Sequence, residues 1–205
     1  MRAVRAGGAG VALRALLNSP RWTGASVALV TFLLDQAVKL YFLYGLGFAG
    51  RVPGEAIRVG PFFNLVMVWN RGVSFGLFPA DSLASRAFLL VFSGAIVLGL
   101  AFWLSKLRTL TEGTGLLSGL GIGLVIGGAL GNMLDRLRYG AVADFFHLHA
   151  FGYDWYVFNV ADAAIVAGVG LLLYESLLGR ERPGPGRGPS SAQGDEAGQG
   201  PSNEG

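Results

Sequence analysis

The chain has 205 residues, 52% of them hydrophobic and 14% charged, with a net charge of +3 and a mean hydropathy of +0.51. These values are too apolar for an ordinary soluble domain and point to an integral membrane protein of one domain. There is no cysteine, which excludes disulfides and thiolate metal sites within the chain, and the two histidines, His147 and His149, leave little room for a histidine-built metal site.

Residues 1–23 carry Arg2, Arg5, Arg14 and Arg21 with no acidic residue, and read as a basic N-terminal extension. Residues 24–44 are apolar except for Asp35 and Lys39 and are expected to form the first membrane span. A cleaved signal peptide is the rival reading, since Gly47-Phe48-Ala49 loosely resembles a cleavage site; the apolar stretch is too long for it, and signal h-regions carry no Asp or Lys. Residues 45–83 change character. Glycine and proline recur between short β-prone runs such as FFNLVMVW (62–69), which predicts a small β-rich extramembrane insert between helices 1 and 2, ending near Pro79.

Residues 87–104 hold no charge and form the second predicted span. After a short polar connection with Lys106, Arg108 and Glu112, the third span is expected over 113–134. There Gly115, Gly119, Gly123, Gly127 and Gly131 fall at every fourth position, a face on which another helix backbone can approach closely. The fourth span is predicted from about Trp155 to Tyr174, with Asp162 its single charge. The tail, 179–205, is rich in Gly, Pro and Ser and is expected to be disordered. The expected fold is thus membrane α-helical, with four transmembrane helices. Nine basic residues flank the side bearing both termini and six the other, so both termini are expected in the cytoplasm.

That topology brings the polar membrane residues to one level. Asp144 is expected in a short loop after the third span, and Asp162 about two turns inside the fourth. Two carboxylates brought together cannot both ionise cheaply and come to share a proton. One then serves as general base on water while the other donates to a carbonyl oxygen, as in an aspartic protease. A structural hydrogen-bonded cluster and a proton relay in a proton-coupled transporter remain open on spacing alone. Gly72-Val73-Ser74-Phe75-Gly76 matches a serine-hydrolase elbow, but neither the strand-to-helix turn nor a partner histidine is visible, and the match reads as coincidental. His147 and His149 are read as solvated loop residues. Asp135, followed by Arg136, is read as a structural cap of the third span with an interfacial ion pair. Asp35 and Lys39, four apart on one helix face, can pair with each other.

Five blocks, in order, resemble the lipoprotein signal peptidases, the bacterial type II signal peptidase family: Asp35-Gln-Ala-Val-Lys39; Asn70-Arg-Gly72-Val-Ser-Phe75-Gly76; Gly127-Gly-Ala-Leu-Gly131-Asn132-Met-Leu-Asp135-Arg136; Val142-Ala-Asp144-Phe145; and Phe158-Asn159-Val-Ala161-Asp162. The resemblance covers residues 22–178 and implies a four-span peptidase domain over 24–178. It implies a membrane-embedded aspartic endopeptidase that cleaves prolipoproteins just before a diacylglyceryl-modified cysteine. The catalytic pair falls on Asp144 and Asp162. The supporting residues fall on Asn70, Gly72, Asn132, Asp135, Arg136, Asn159 and Ala161, with Asp35 and Lys39 in the first block. It further implies no cofactor or metal, a lipidated prolipoprotein and membrane lipid as partners, no nucleic acid, and action as a monomer at the outer face of the bacterial inner membrane. The departures are Val73-Ser74, Ala143 and Ala163 in place of the family's usual small or branched residues.

Overall fold

The computed structural model describes residues 19–52, 55–72, 82–107 and 114–180. The arginine-rich residues before Ser19, the serine of the elbow-like motif (Ser74), the polar connection 108–113 and the tail from 181 onward lie outside the described residues.

Helix α1 runs Pro20–Leu40 and is prolonged by a π-helical turn, Tyr41–Gly45. It starts four residues before the predicted span because Ser19 caps it: its Oγ accepts from the Trp22 N–H at 3.5 Å, and Pro20 takes the first helical position, where no N–H is needed. Two strands follow, β1 (Ala56–Arg58) and β2 (Phe63–Asn70). Helix α2 spans Leu83–Lys106 behind the N-cap Ser82, whose Oγ accepts from the Ser85 N–H at 3.0 Å. Helix α3 spans Thr114–Tyr139, and α4 Val160–Arg180. All four helices are long and apolar enough to cross a bilayer.

The connection between α3 and α4 differs from expectation. It is no loop but a hairpin of β3 (Val142–Ala150) and β4 (Tyr153–Phe158), which completes an antiparallel sheet in the order β1-β2-β3-β4. Half of the extramembrane sheet therefore comes from outside the predicted insert, and α4 starts at Val160 rather than near Trp155. Asn159 alone separates Trp155-Tyr-Val-Phe158 from the apolar helix, so hydropathy averaged over a window cannot separate strand from helix there. His147 and His149, predicted on a loop, lie on β3, and His147 Nε2 meets Asp154 Oδ1 of β4 at 3.4 Å.

Helix α3 is the centre of the bundle: 56% of its most apolar stretch is buried, against 6% for α2. Its glycine face explains why. A Cβ at Gly123 would come within 2.5 Å of the Gly24 carbonyl oxygen, and one at Gly127 within 2.5 Å of Ala28 O, both on α1. Gly128, on the other flank, would come equally close to Ala161 O of α4. Backbones that near gain van der Waals contact that no larger residue allows. The sheet is fixed to the bundle end by a second core of Leu43, Phe48, Met67, Ala143 and Phe145, with the rings of Phe42 and Phe145 4.9 Å apart. A bulge in β2 sets Val66 and Met67 together opposite Phe145, so two successive side chains face inward where alternation would expose one.

Candidate active site

The site forms where α1, α3, α4 and β3 meet. Lys39, on the last turn of α1, is buried, and its Nζ reaches Asp35 Oδ2 at 2.9 Å, Asp135 Oδ2 at 2.8 Å and Asn132 Oδ1 at 3.0 Å. All three ammonium protons are thereby matched by acceptors. The expected Asp35–Lys39 pairing is present, but Asp135 is no interfacial cap bound to Arg136. It is buried near the C-terminal end of α3, paired with Lys39, and its Oδ2 also accepts from the Ala143 N–H of β3 at 3.2 Å. It thus joins the helical bundle to the sheet. Asp35 Oδ1 accepts from the Ala161 N–H at 2.9 Å, at the start of α4. Gln36, not singled out from the sequence, bridges the two carboxylates, reaching Asp35 Oδ2 and Asp135 Oδ1 at 3.2 Å each. Its place beside Asp35 carried no periodicity that would have marked it.

Two asparagines pass this frame on to the predicted pair. Asn132 accepts from Lys39 at Oδ1 and donates Nδ2 to Asp162 Oδ1 at 2.7 Å. Asn159 Nδ2 donates to Asp144 Oδ1 at 2.6 Å and to Asn132 Oδ1 at 3.1 Å. Asn159 is also the N-cap of α4. Its Oδ1 accepts from the Asp162 N–H at 2.9 Å while Asp162 Oδ2 accepts from the Asn159 N–H at 3.3 Å, a reciprocal capping box. The box places Asp162 in the first turn of α4, not two turns inside. The Asn-x-x-Asp spacing was its signal in the sequence. Asn159 thus touches both carboxylates, and the seventeen intervening residues leave and return as the β3–β4 hairpin.

Asp144 stands on β3 opposite Val68 and is buried. Its Oδ2 has no hydrogen-bond partner of good geometry among the described residues. Burial, and then the charge of Asp162, push its carboxyl up to about 7, while the Asn70 and Asn159 amides and Lys39 favour its charged form. Asn70 ends β2, and its Oδ1 accepts from the Gly72 N–H at 2.9 Å; Gly72 adopts φ +80, a conformation open to glycine at no steric cost. Arg136 donates to Asn132 O at 3.3 Å, and its buried Nε is unpartnered among the described residues. Asn70, Gly72, Arg136 and Asp144 line a cavity of about 770 Å3, with Trp69, Trp155 and Tyr156 as further walls that the sequence reading did not single out. Among the described residues no group of three His, Asp or Glu side chains is arranged to hold a metal ion.

Every predicted site residue thus falls in one hydrogen-bonded frame or in the cavity beside it. Fold and site define a class: a multi-pass membrane protein with two carboxylates bridged by one asparagine at the junction of bundle and sheet. The family model for signal peptidase (SPase) II matches residues 27–178. The lipoprotein signal peptidase of Rhodopseudomonas palustris is 44% identical over 165 residues, covering 78% of this chain and 95% of the relative. Those of Methylorubrum extorquens and Methylobacterium radiotolerans are 47% and 46% identical, covering 87% and 83% of this chain and 94% and 96% of their own lengths. Two solved structures described as a bacterial membrane enzyme are similar at 25% and 27% identity, each with a TM-score of 0.63, over 78% and 76% of this chain and 90% and 92% of theirs. The chain belongs to the signal peptidase II family. It is a protease of the membrane, and the transporter alternative is left without support.

Proposed function

We propose that the chain is an aspartic endopeptidase that removes signal peptides from diacylglyceryl-modified prolipoproteins, cleaving just before the lipidated cysteine, with Asp144 and Asp162 as its catalytic pair. The observation that carries this reading is the asymmetry of the pair around Asn159. Both oxygens of Asp162 accept from N–H donors, as a carboxylate does, whereas Asp144 has a buried Oδ2 with no such donor in good geometry, in the wall of the cavity. Four carboxylates against three cations, Lys39, Arg136 and the cavity-lining Arg71, also leave the site with an excess of negative charge that one retained proton relieves.

In this mechanism Asp144 holds the shared proton and Asp162 is the base. A water attacks the scissile carbonyl carbon and gives a proton to Asp162, while Asp144 gives its proton to the carbonyl oxygen. The tetrahedral intermediate then collapses. Asp162 protonates the leaving nitrogen, Asp144 regains the hydroxyl proton, and the C–N bond breaks. Asn132 and Asn159 hold the pair in register, and Arg136 and Asn70 face the substrate backbone. The sheet overhangs the cavity, the lipid tails stay in the bilayer, and the basic bias of the sequence supports a site on the outer face with both termini in the cytoplasm. In this reading the active form is a monomer.

The test uses purified protein and a diacylglyceryl-modified prolipoprotein. Asp144→Asn and Asp162→Asn are each expected to lower the cleavage rate by about 10²–10⁴-fold, with the fold retained. Cleavage at the parental rate by either variant overturns the assignment, and loss of activity to chelators would require a metal instead.

A further inference from the structure

Two neighbouring turns at the far edge of the sheet have the wrong chemistry for water. Between β3 and β4 the chain turns on Phe151-Gly152, both at positive φ, 53 and 81. A two-residue turn of that hand favours Asn-Gly or Asp-Gly, because a bulky side chain at positive φ is strained. Phe151 nonetheless occupies it, and its side chain is 92% exposed. The β1–β2 connection ends beside it, with the Phe62 and Phe151 rings 6.2 Å apart and the His149 N–H donating to Phe62 O at 3.0 Å. Val59, Phe62 and Tyr153 around it are exposed as well. Residues 59–63 (VGPFF) and 150–153 (AFGY) contain no charged side chain, although turns are ordinarily polar.

We infer that this edge, with Phe151 at its tip, dips into the interface of the bilayer beside the helical bundle. Both ends of the hairpin are tied to the bilayer boundary: only Gly140 and Ala141 separate α3 from β3, and only Asn159 separates β4 from α4. Nine residues of β3 carry the tip about 30 Å away. A sheet standing along the membrane normal would hold a strained, exposed phenylalanine in bulk water, with only the Phe62 ring, itself exposed, beside it. A sheet lying across the surface brings Phe62, Phe151 and Tyr153 to headgroup depth, where aromatic side chains are most favourably placed. The tip then fixes the tilt of the sheet over the cavity. This orientation does not depend on the proposed cleavage or on which side of the membrane the site faces.

The chain has no cysteine, so a single introduced one is labelled uniquely. Full-length protein in lipid nanodiscs would carry an environment-sensitive fluorophore at Phe62→Cys, which leaves Phe151 in place, at Phe151→Cys, or at the exposed Glu55→Cys. The Phe62 and Phe151 labels should be quenched by nitroxides carried shallow in the lipid, and should lose several-fold in iodide accessibility relative to the Glu55 label. The Phe62 label decides. If iodide quenches it as strongly as the Glu55 label, the inference is wrong. It is equally wrong if that label is shielded from iodide yet untouched by lipid nitroxides, because the cover is then protein.

Discussion

Replacing Lys39 by Met tests the idea that one buried cation holds the site together. The substitution conserves the apolar stem and removes only the ammonium, which lies 2.9 Å from Asp35, 2.8 Å from Asp135 and 3.0 Å from Asn132. Asp35 and Asp135 are 0% and 1% exposed, so water cannot replace the lost partner. Removing one member of a buried ion pair costs about 3–5 kcal/mol, and here two carboxylates lose the same partner, so the upper half of that range is expected. In a chain of this length each kcal/mol moves the midpoint by about 2–4 °C. Lys39→Met should therefore melt about 8–20 °C below the parent in the same detergent, followed by tryptophan fluorescence. Cleavage should fall too, because Asn132 loses one of the two donors, Lys39 and Asn159, that orient its amide toward Asp162. The double variant Lys39→Met/Asp135→Asn removes one orphaned charge and should recover part of the midpoint, showing that the two sites are coupled. A single variant melting within about 2 °C of the parent, or a double variant no better than the single, would refute the reasoning.

The raised carboxyl of Asp144 gives a pH signature. Between its ordinary value of 3.8 and about 7 the folded chain binds more protons there than the unfolded one, so this group's contribution to stability falls as pH rises through that window and is flat beyond it. Activity that needs the retained proton should decline above pH 7 by about tenfold per unit, and an unchanged rate at alkaline pH would exclude Asp144 as the acid. Gly131→Ala directs a methyl group at the Asp35 carboxylate and should cost about 1–3 kcal/mol and reduce cleavage, whereas Gly99→Ala, with nothing within 4 Å of the new methyl, should leave the thermal midpoint unchanged or raised. Phe151→Asn puts a residue tolerant of positive φ at the hairpin turn and should raise stability in detergent by about 1 kcal/mol, measured as a higher midpoint.

Much of this protein was legible in order of residues alone, and the reason is the solvent. A bilayer demands long uncharged runs, so four helices announce themselves by hydropathy, and every polar residue left inside one stands out against its background. The fourth-residue spacing of glycines in α3 likewise exposed its packing face, because helical periodicity is local. The carboxylates that form the site were visible for the same reason, and the five ordered blocks tied them to a family.

What needed three dimensions was the set of contacts behind the division of work among those residues. Asp35, Asp135, Asp144 and Asp162 look alike along the chain, yet burial around one ammonium makes the first two a frame, while contact with one asparagine makes the last two a pair. Strand β4 escaped detection because a short apolar run leading into a membrane helix carries no period of its own; only the pairing of β3 with β2 and of β4 with β3, and the core that packs Met67 with Phe145, makes the hairpin. The position of Asp162 depends in turn on where α4 begins, which the capping box of Asn159 decides once the hairpin has delivered it there. Hydropathy is a property of residues taken singly. The proton sharing proposed for Asp144 and Asp162 needs two residues eighteen apart in sequence to meet, and the distance between them exists only in the folded chain.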